Sequence, residues 1–358
     1  LAFIHSHPNS PSADLSPLDI ETSSRLARVC GELLDGPFVS LVISPTDWKA
    51  VAASDDHLEA IDRIAIAGRR LAIYGVSLSV PDPALDDRQL RAMSAPAHAA
   101  LRDLRVGVIG VGGLGSPVAE TLARMGVGEL RLVDNDRLDT TSNARRIFGV
   151  SRADVEISPP QLKAEVVRRH LVRLGLGSHV TSIVGDIRDR DVQDELLDLD
   201  VLISGTDTHS SRAALAELSV RAAMPLIDIG VRVGVRTHGQ LDALRFERRV
   251  QIPDGPCLWC WGVLDAERVR SETLPAHQRQ VLVREGYVTG SSEAPAPSVA
   301  CLTVMAAGAA TSALLAMIAG AFDYSPLAVG VDTITLESTP FKRSHPDPQC
   351  ICSRWSSA

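Results

Sequence analysis

Apolar residues recur at helical spacing over residues 20–34 and then gather into short extended runs at 38–43, 64–66 and 71–74. That succession predicts a small α+β unit at the front of the chain. Pro81, Asp82 and Pro83 break the pattern, because proline fixes its own φ and drives the preceding residue out of helical geometry. A charged helix is expected from about 86 to 104. Beyond it strands at 106–109, 129–133, 179–184 and 201–204 alternate with helices at 117–125 and 164–174. Such alternation predicts a parallel sheet covered by helices on both faces. Residues 294–322 carry no charge and are long enough to span a bilayer. Ala, Gly, Ser and Thr dominate them, so the stretch is expected to be a buried helix of a soluble core, with no membrane partner.

Composition narrows the class. With 358 residues, 45% hydrophobic and 22% charged, the chain has material for two packed cores. Domains are expected at 1–80 and 85–358. A formal net charge of -8 offers no general attraction for nucleic acid, and none is expected as a partner. Six cysteines are too few for a disulfide scaffold at this length, and four of them stand in close pairs, a spacing that favours metal. The start of the chain has no basic-then-apolar leader pattern, so the cytoplasm is the expected location.

The chemistry concentrates after residue 105. Gly110, Gly112, Gly113 and Gly115 end an apolar run and open a helix, a setting in which glycine keeps the turn tight and lets backbone N–H groups approach phosphate. The strand at 129–133 ends in Asp134, nineteen residues after Gly115, where a carboxylate can accept hydrogen bonds from ribose hydroxyls. These features alone suit a nicotinamide dehydrogenase equally well. Asp136, Asn143, Arg145, Arg146, Lys163 and the late Asp207 separate the two readings. Several cations and a second carboxylate serve a triphosphate with a metal ion better than a dinucleotide.

Over residues 87–352 the chain resembles the ThiF/MoeB/HesA family, bacterial relatives of the ubiquitin-activating enzymes. The motifs are Asp87-Arg88-Gln89, the glycine turn, Asp134-Asn135-Asp136, Ser142-Asn143-Ala144-Arg145-Arg146 and Cys257-Leu258-Trp259-Cys260. The resemblance implies a Rossmann-like α/β fold and ATP- and Mg2+-dependent adenylation of the C-terminal carboxylate of a ubiquitin-like or sulfur-carrier protein. It implies that Asp134 binds ribose, that Asn143, Arg146 and Lys163 contact phosphate, and that Asp207 holds magnesium. It also implies a homodimer in which Arg88 reaches the partner's phosphates. One extra residue between Asp139 and Ser142 leaves Arg145 or Arg146 to face the phosphates. In sulfur-carrier relatives an acyl-accepting cysteine follows the Cys-x-x-Cys pair, but residues 261–297 contain none. Adenylation without an obligatory enzyme thioester is therefore expected, with Cys301 a buried structural thiol.

Cys257 and Cys260 offer half of a tetrahedral thiolate site, and Cys350 and Cys352 the other half, which points to a structural Zn2+. At the front, His5-Ser6-His7-Pro8 followed by Ser16-Pro17-Leu18-Asp19 resembles the JAB/MPN (JAMM) metallopeptidase motif. That resemblance implies a partial α+β module whose His5, His7 and Asp19 hold zinc. The motif's upstream glutamate has no counterpart among the four residues before His5, so the chain is expected to be a fragment and the module inactive as a peptidase. A peptidase module beside an activating enzyme suggests a shared pathway of ubiquitin-like proteins. Two alternatives stay open: an NAD(P)-dependent oxidoreductase, and a zinc-stabilised scaffold that binds nucleotide without turning it over.

Overall fold

The computed structural model describes residues 2–31, 38–45, 47–54, 57–75, 82–236, 240–275, 277–278, 281, 284, 297–323, 325–341 and 345–355. They form two compact units, Leu1–Ala65 with Ile73–Val76, and Ile66–Ala72 with Ser77–Ala358.

In the smaller unit β1 (Ala2–Ser6) and α1 (Pro17–Gly31) precede β2 (Phe38–Ile43), β3 (Trp48–Ser54) and β4 (His57–Ile61). The sheet order is β1-β2-β3-β4, with β1 parallel to β2 and the other pairs antiparallel. Period-two burial along β2 turns Phe38, Ser40 and Val42 inward, and α1 covers β2 and β3 through a small core of Ala27, Phe38 and Ala53. The expected helix at 20–34 starts earlier, at Pro17, and its expected end falls outside the described residues. β1, β3 and β4 had not been expected. The expected runs at 64–66 and 71–74 lie in β5 (Arg63–Ala67) and β6 (Leu71–Gly75), which pair with each other.

The larger unit opens with α2 (Pro83–Ala92) and α3 (Ala95–Asp103), which replace the single helix expected over 86–104. Two caps explain the division. Asp82 Oδ1 accepts from the N–H groups of Ala84 and Leu85 at 3.0 and 3.3 Å, and Ser94 Oγ accepts from Ala97 N at 3.3 Å. Pro83 and Pro96 sit in the first turns, where a missing N–H costs nothing.

Next come β7 (Arg105–Ile109), α4 (Gly115–Arg124), β8 (Glu129–Val133), α5 (Asn143–Arg146), α6 (Arg152–Val155), α7 (Lys163–Leu174) and β9 (His179–Ile183). They are followed by α8 (Arg190–Asp194), β10 (Val201–Ser204), α9 (His209–Arg221), β11 (Leu226–Val235), β12 (Leu241–Gln251) and α10 (Ala266–Thr273). The last elements are α11 (Ala300–Ile318), β13 (Ala328–Asp332), β14 (Ser338–Pro340) and α12 (Ile351–Trp355).

The eight strands run β14-β13-β12-β11-β10-β7-β8-β9. From β11 to β9 the pairing is parallel, and from β11 to β14 it is antiparallel. The parallel half matches the sequence expectation; the antiparallel half does not appear in it. Helices cover both faces. α9 packs Leu215 and Leu218 on the face of Ile109, Val133 and Leu202, while α4 approaches Val108 on the other.

α11 is long and apolar enough to cross a membrane by length and composition. It packs against α4, β11 and β12, with Leu302, Ala306, Ala310, Leu314 and Met317 buried. Its first turns also have an outward face. Cys301, expected to be a buried thiol, is exposed there beside Val304 and Met305, because helical spacing puts 301, 304 and 305 opposite the buried stripe.

Candidate functional site

Strand order reverses at β7, since β8 and β9 lie on one side of it and β10 on the other. A crevice opens at the carboxyl ends of strands at such a point. Backbone packing there admits only glycine at several positions. A Cβ on Gly115 would lie 1.9 Å from the carbonyl oxygen of Gly110, and one on Gly205 would lie 2.8 Å from the same oxygen. Gly110 itself has φ +80°, a left-handed geometry that glycine adopts without strain. Gly112 differs: a Cβ there would meet nothing within 4 Å, so the absent side chain leaves room above the turn instead of relieving a clash. Ser116 ties this turn to the next segment, donating from Oγ to Gly112 O at 2.7 Å and accepting from Phe148 N at 2.9 Å.

A cavity of about 650 Å³ stands over the turn. Of the residues singled out from sequence, Gly110, Gly112, Gly113, Asp134, Asp136, Arg146, Lys163 and Asp207 line it. Asp134 directly follows β8 and accepts from Val111 N through Oδ2 and from Asp136 N through Oδ1, both at 2.9 Å. Burial pushes its carboxyl above the usual range, and these N–H groups and the Lys163 charge oppose that shift. Lys163, at the start of α7, reaches Asp136 Oδ2 at 2.6 Å. Behind the wall, buried Asn143 accepts from Arg146 Nη2 at 3.0 Å and aims that guanidinium.

Of the two arginines left open by the spacing, Arg146 lines the cavity and Arg145 does not. Arg146 Nε is buried with no hydrogen-bond partner among the described residues, a donor that an anionic ligand would satisfy. The open space at Gly112 and this donor together fit a nucleotide phosphate. Gly115 and Asn143 support the cavity from behind, and Arg88 lies exposed on α2, outside the lining residues. Sequence reasoning missed Arg188, Arg212 and Glu272, which also line it. Asp186 binds Arg188 through both carboxylate oxygens and is held below the ordinary carboxylate range by that guanidinium.

The four clustered cysteines converge. Cys257 Sγ lies 3.4 Å from Cys350 Sγ and 3.8 Å from Cys260 Sγ, and Cys260 Sγ lies 3.5 Å from Cys352 Sγ. Tetrahedral zinc with bonds of about 2.3 Å requires sulfur separations of about 3.8 Å, so the geometry fits that ion. Burial pushes Cys257 up and Cys352 to about 12. Cys260, despite its own desolvation, is held below the ordinary thiol range by the N–H groups of Asp347 and Cys257.

In the smaller unit His5 Nε2 lies 2.9 Å from Asp19 Oδ1, and His7 Nε2 lies 3.4 Å from Asp19 Oδ2. Ser16 N donates to Asp19 Oδ2 at 2.7 Å, fixing the carboxylate. Ligand atoms of all three side chains fall within 4.8 Å of one another, close enough to share one cation.

Among curated proteins, the chain is 31% identical over 161 residues to "Adenylyltransferase and sulfurtransferase UBA4" of Kluyveromyces lactis, covering 45% of this chain and 33% of that protein. It is 28% identical over 156 residues to "SAMP-activating enzyme E1" of Haloferax volcanii, covering 44% of this chain and 52% of that one. The matched span is thus about a third to a half of these relatives' own length. Among solved structures, E. coli MccB with succinimide superposes with a TM-score of 0.57 at 20% identity, covering 78% of this chain and 76% of MccB. PaaA superposes at 0.55 and 19%, covering 76% of each chain, and at such identities the likeness speaks for the fold alone. A family model described as the ThiF family matches residues 86–352, the span that carries the glycine turn, the cavity and all four clustered cysteines, and the chain belongs to that family.

Proposed function

We propose that this chain is an ATP- and Mg2+-dependent adenylyltransferase that activates the C-terminal carboxylate of a small ubiquitin-like or sulfur-carrier protein. One observation carries the reading: a single cavity gathers the glycine turn, Asp134, the cations Arg146 and Lys163, and the exposed carboxylate of Asp207. The names of the two curated relatives agree with it.

In the reaction a carboxylate oxygen of the acceptor bonds to the α-phosphorus of ATP while the bond to pyrophosphate breaks, leaving an acyl-adenylate and free pyrophosphate. The attacking carboxylate is already ionised, so no general base is required. Negative charge accumulates on the phosphates, and Arg146 and Lys163 stabilise it electrostatically. Asp134 orients the nucleoside through ribose hydroxyls. Asp207 would hold the magnesium ion, whose charge would offset that of the phosphates.

Further parts of the proposal concern assembly and metals. Arg88, exposed on α2, serves the cavity of a second copy in a homodimer. The Cys257, Cys260, Cys350 and Cys352 cluster holds a structural Zn2+ that ties the C-terminal segment to the loop after β12. The front unit is a JAB/MPN-like module whose His5, His7 and Asp19 bind a metal ion. The setting is cytoplasmic.

Exchange of labelled pyrophosphate into ATP tests the reading, with small proteins ending in exposed glycine as acceptors. Magnesium-dependent exchange is expected, and Asp207→Ala should lower it by roughly 100-fold or more. ATP binding without exchange would favour the nucleotide-binding scaffold, and tight NAD(P)H binding without exchange the oxidoreductase.

A further inference from the structure

The order of the strands divides the cavity's cations. Arg146 and Lys163 lie between β8 and β9 in the chain, and Arg188 follows β9, the two strands on one side of β7. On the other side, where β10 and β11 end, the lining includes Asp207, Gly230 and Val231. Among the described lining residues Arg212, in the first turn of α9, is the cation of that side.

Arg212 is held in place from beneath. Its Nε makes an ion contact with Asp228 Oδ1 at 3.1 Å, and its Nη2 donates to Ile229 O at 3.2 Å. Asp228 is 0% exposed, and Arg249, itself buried, approaches its other oxygen at 3.5 Å. A Cβ on Gly230 would lie 3.2 Å from Arg212 Nη2, so glycine there leaves the guanidinium its room. Arg212 Nε and Asp228 Oδ1 are both buried and neither has a hydrogen-bond partner among the described residues, so their contact is ionic. Burying a carboxylate carries a large desolvation cost, and an apolar residue would fill the same space more favourably. What the buried acid provides is orientation: it removes the rotamer freedom of the arginine above it and leaves part of a planar donor fork for a ligand.

We propose that Arg212, fixed by Asp228, is the residue that receives the acceptor's C-terminal carboxylate, and that the β10–β11 side of the cavity is the acceptor side. This inference rests on the adenylation reading and adds to it the residue that recognises the second substrate. The physical requirement is plain. An acceptor anion must come into van der Waals contact with a polyanionic triphosphate, and a guanidinium on the approach side offsets that repulsion. Arg146 and Lys163 are committed to the phosphates, so they do not meet the need. Asp228 is a positioning residue: it touches neither substrate and acts through Arg212.

The test uses the full chain with synthetic decapeptides that carry each of the twenty residues at the C-terminus, as free acids and as matched C-terminal amides. Pyrophosphate exchange gives KM and kcat for each peptide, and calorimetry gives the affinity for MgATP. Exchange is expected with free acids and not with amides. Arg212→Lys, which keeps the charge but loses the fork, should raise the acid's KM by about 10-fold or more while ATP affinity stays within about twofold. Asp228→Asn should raise KM in the same direction by a smaller factor, and thermal melts show whether each variant is folded. Unchanged KM in a folded Arg212→Lys protein overturns the assignment, as does a loss of ATP affinity equal to the loss in KM, which would make Arg212 a phosphate ligand. Wild-type protein that binds MgATP but exchanges neither with any peptide acid nor with small proteins ending in exposed glycine overturns the adenylation reading itself, and this inference with it.

Discussion

In the parallel half of the sheet the backbone does the polar work: Gly110, Gly115 and Gly205 press main chain against main chain, and Gly112 leaves space above the turn. The antiparallel half assigns that work to side chains, with Asp228, Arg248 and Arg249 buried within or against β11 and β12. The two halves therefore differ in what a substitution removes. On the parallel side a single added methyl group distorts the frame, whereas on the antiparallel side a lost charge strands its partner. A nucleotide suits the first kind of surface, since every nucleotide presents the same phosphates to backbone N–H groups. A variable acceptor suits the second, where side chains set specificity.

The largest effect that would sharpen this contrast is expected from Gly115→Ala. Its Cβ would fall 1.9 Å from Gly110 O, so the turn and α4 must move apart. A stability loss of about 3 kcal/mol or more is expected, read from denaturant unfolding, together with loss of ATP binding. A variant with wild-type stability would break the contrast outright.

An intermediate effect is expected at the cysteines beyond β12. Cys260→Ser, or exposure to a chelator, should release about one zinc per chain by elemental analysis and lower Tm by roughly 5–10 °C. Wild-type protein that contains no metal and melts unchanged with chelator would leave the four thiols as plain packing.

The smallest effect on stability belongs to Gly112→Ala. Nothing lies within 4 Å of the added methyl, so unfolding should change by less than about 1 kcal/mol. ATP affinity should nevertheless fall by about tenfold, because the methyl occupies space meant for phosphate. Equal losses at Gly112 and Gly115 would mean that both glycines serve packing alone.

The same contrast explains what could be read from the chain. Strands buried on both faces appear as unbroken apolar runs such as Val106 to Ile109 and Val201 to Ile203, and the glycine turn has a fixed spacing. β11 and β12 carry Asp228, Arg232, Glu247, Arg248 and Arg249, which disguise them as exposed segments. Their meaning emerges only when pairing sets Asp228 opposite Arg249 and the fold brings Arg212 to the same carboxylate. One signal for Arg212 was available, an arginine five residues beyond Asp207 in the first turn of a helix. Ser94 followed by Pro96 likewise marks the division between α2 and α3 that the charge pattern concealed. In the smaller unit, β3 is rich in alanine and β4 is only five residues long with His57 and Glu59 among them, so neither shows a strong strand pattern.

The most direct measurement follows one oxygen atom. An acceptor whose C-terminal carboxylate is labelled with 18O is incubated with MgATP and a nucleophile that consumes the acyl group, and the nucleotide products are weighed by mass spectrometry. Attack on the α-phosphorus carries the label into AMP, with pyrophosphate released in equal amount, which is the expected result. Label in inorganic phosphate with formation of ADP would show attack at the γ-phosphorus and contradict the account, and so would ATP recovered unchanged with every acceptor.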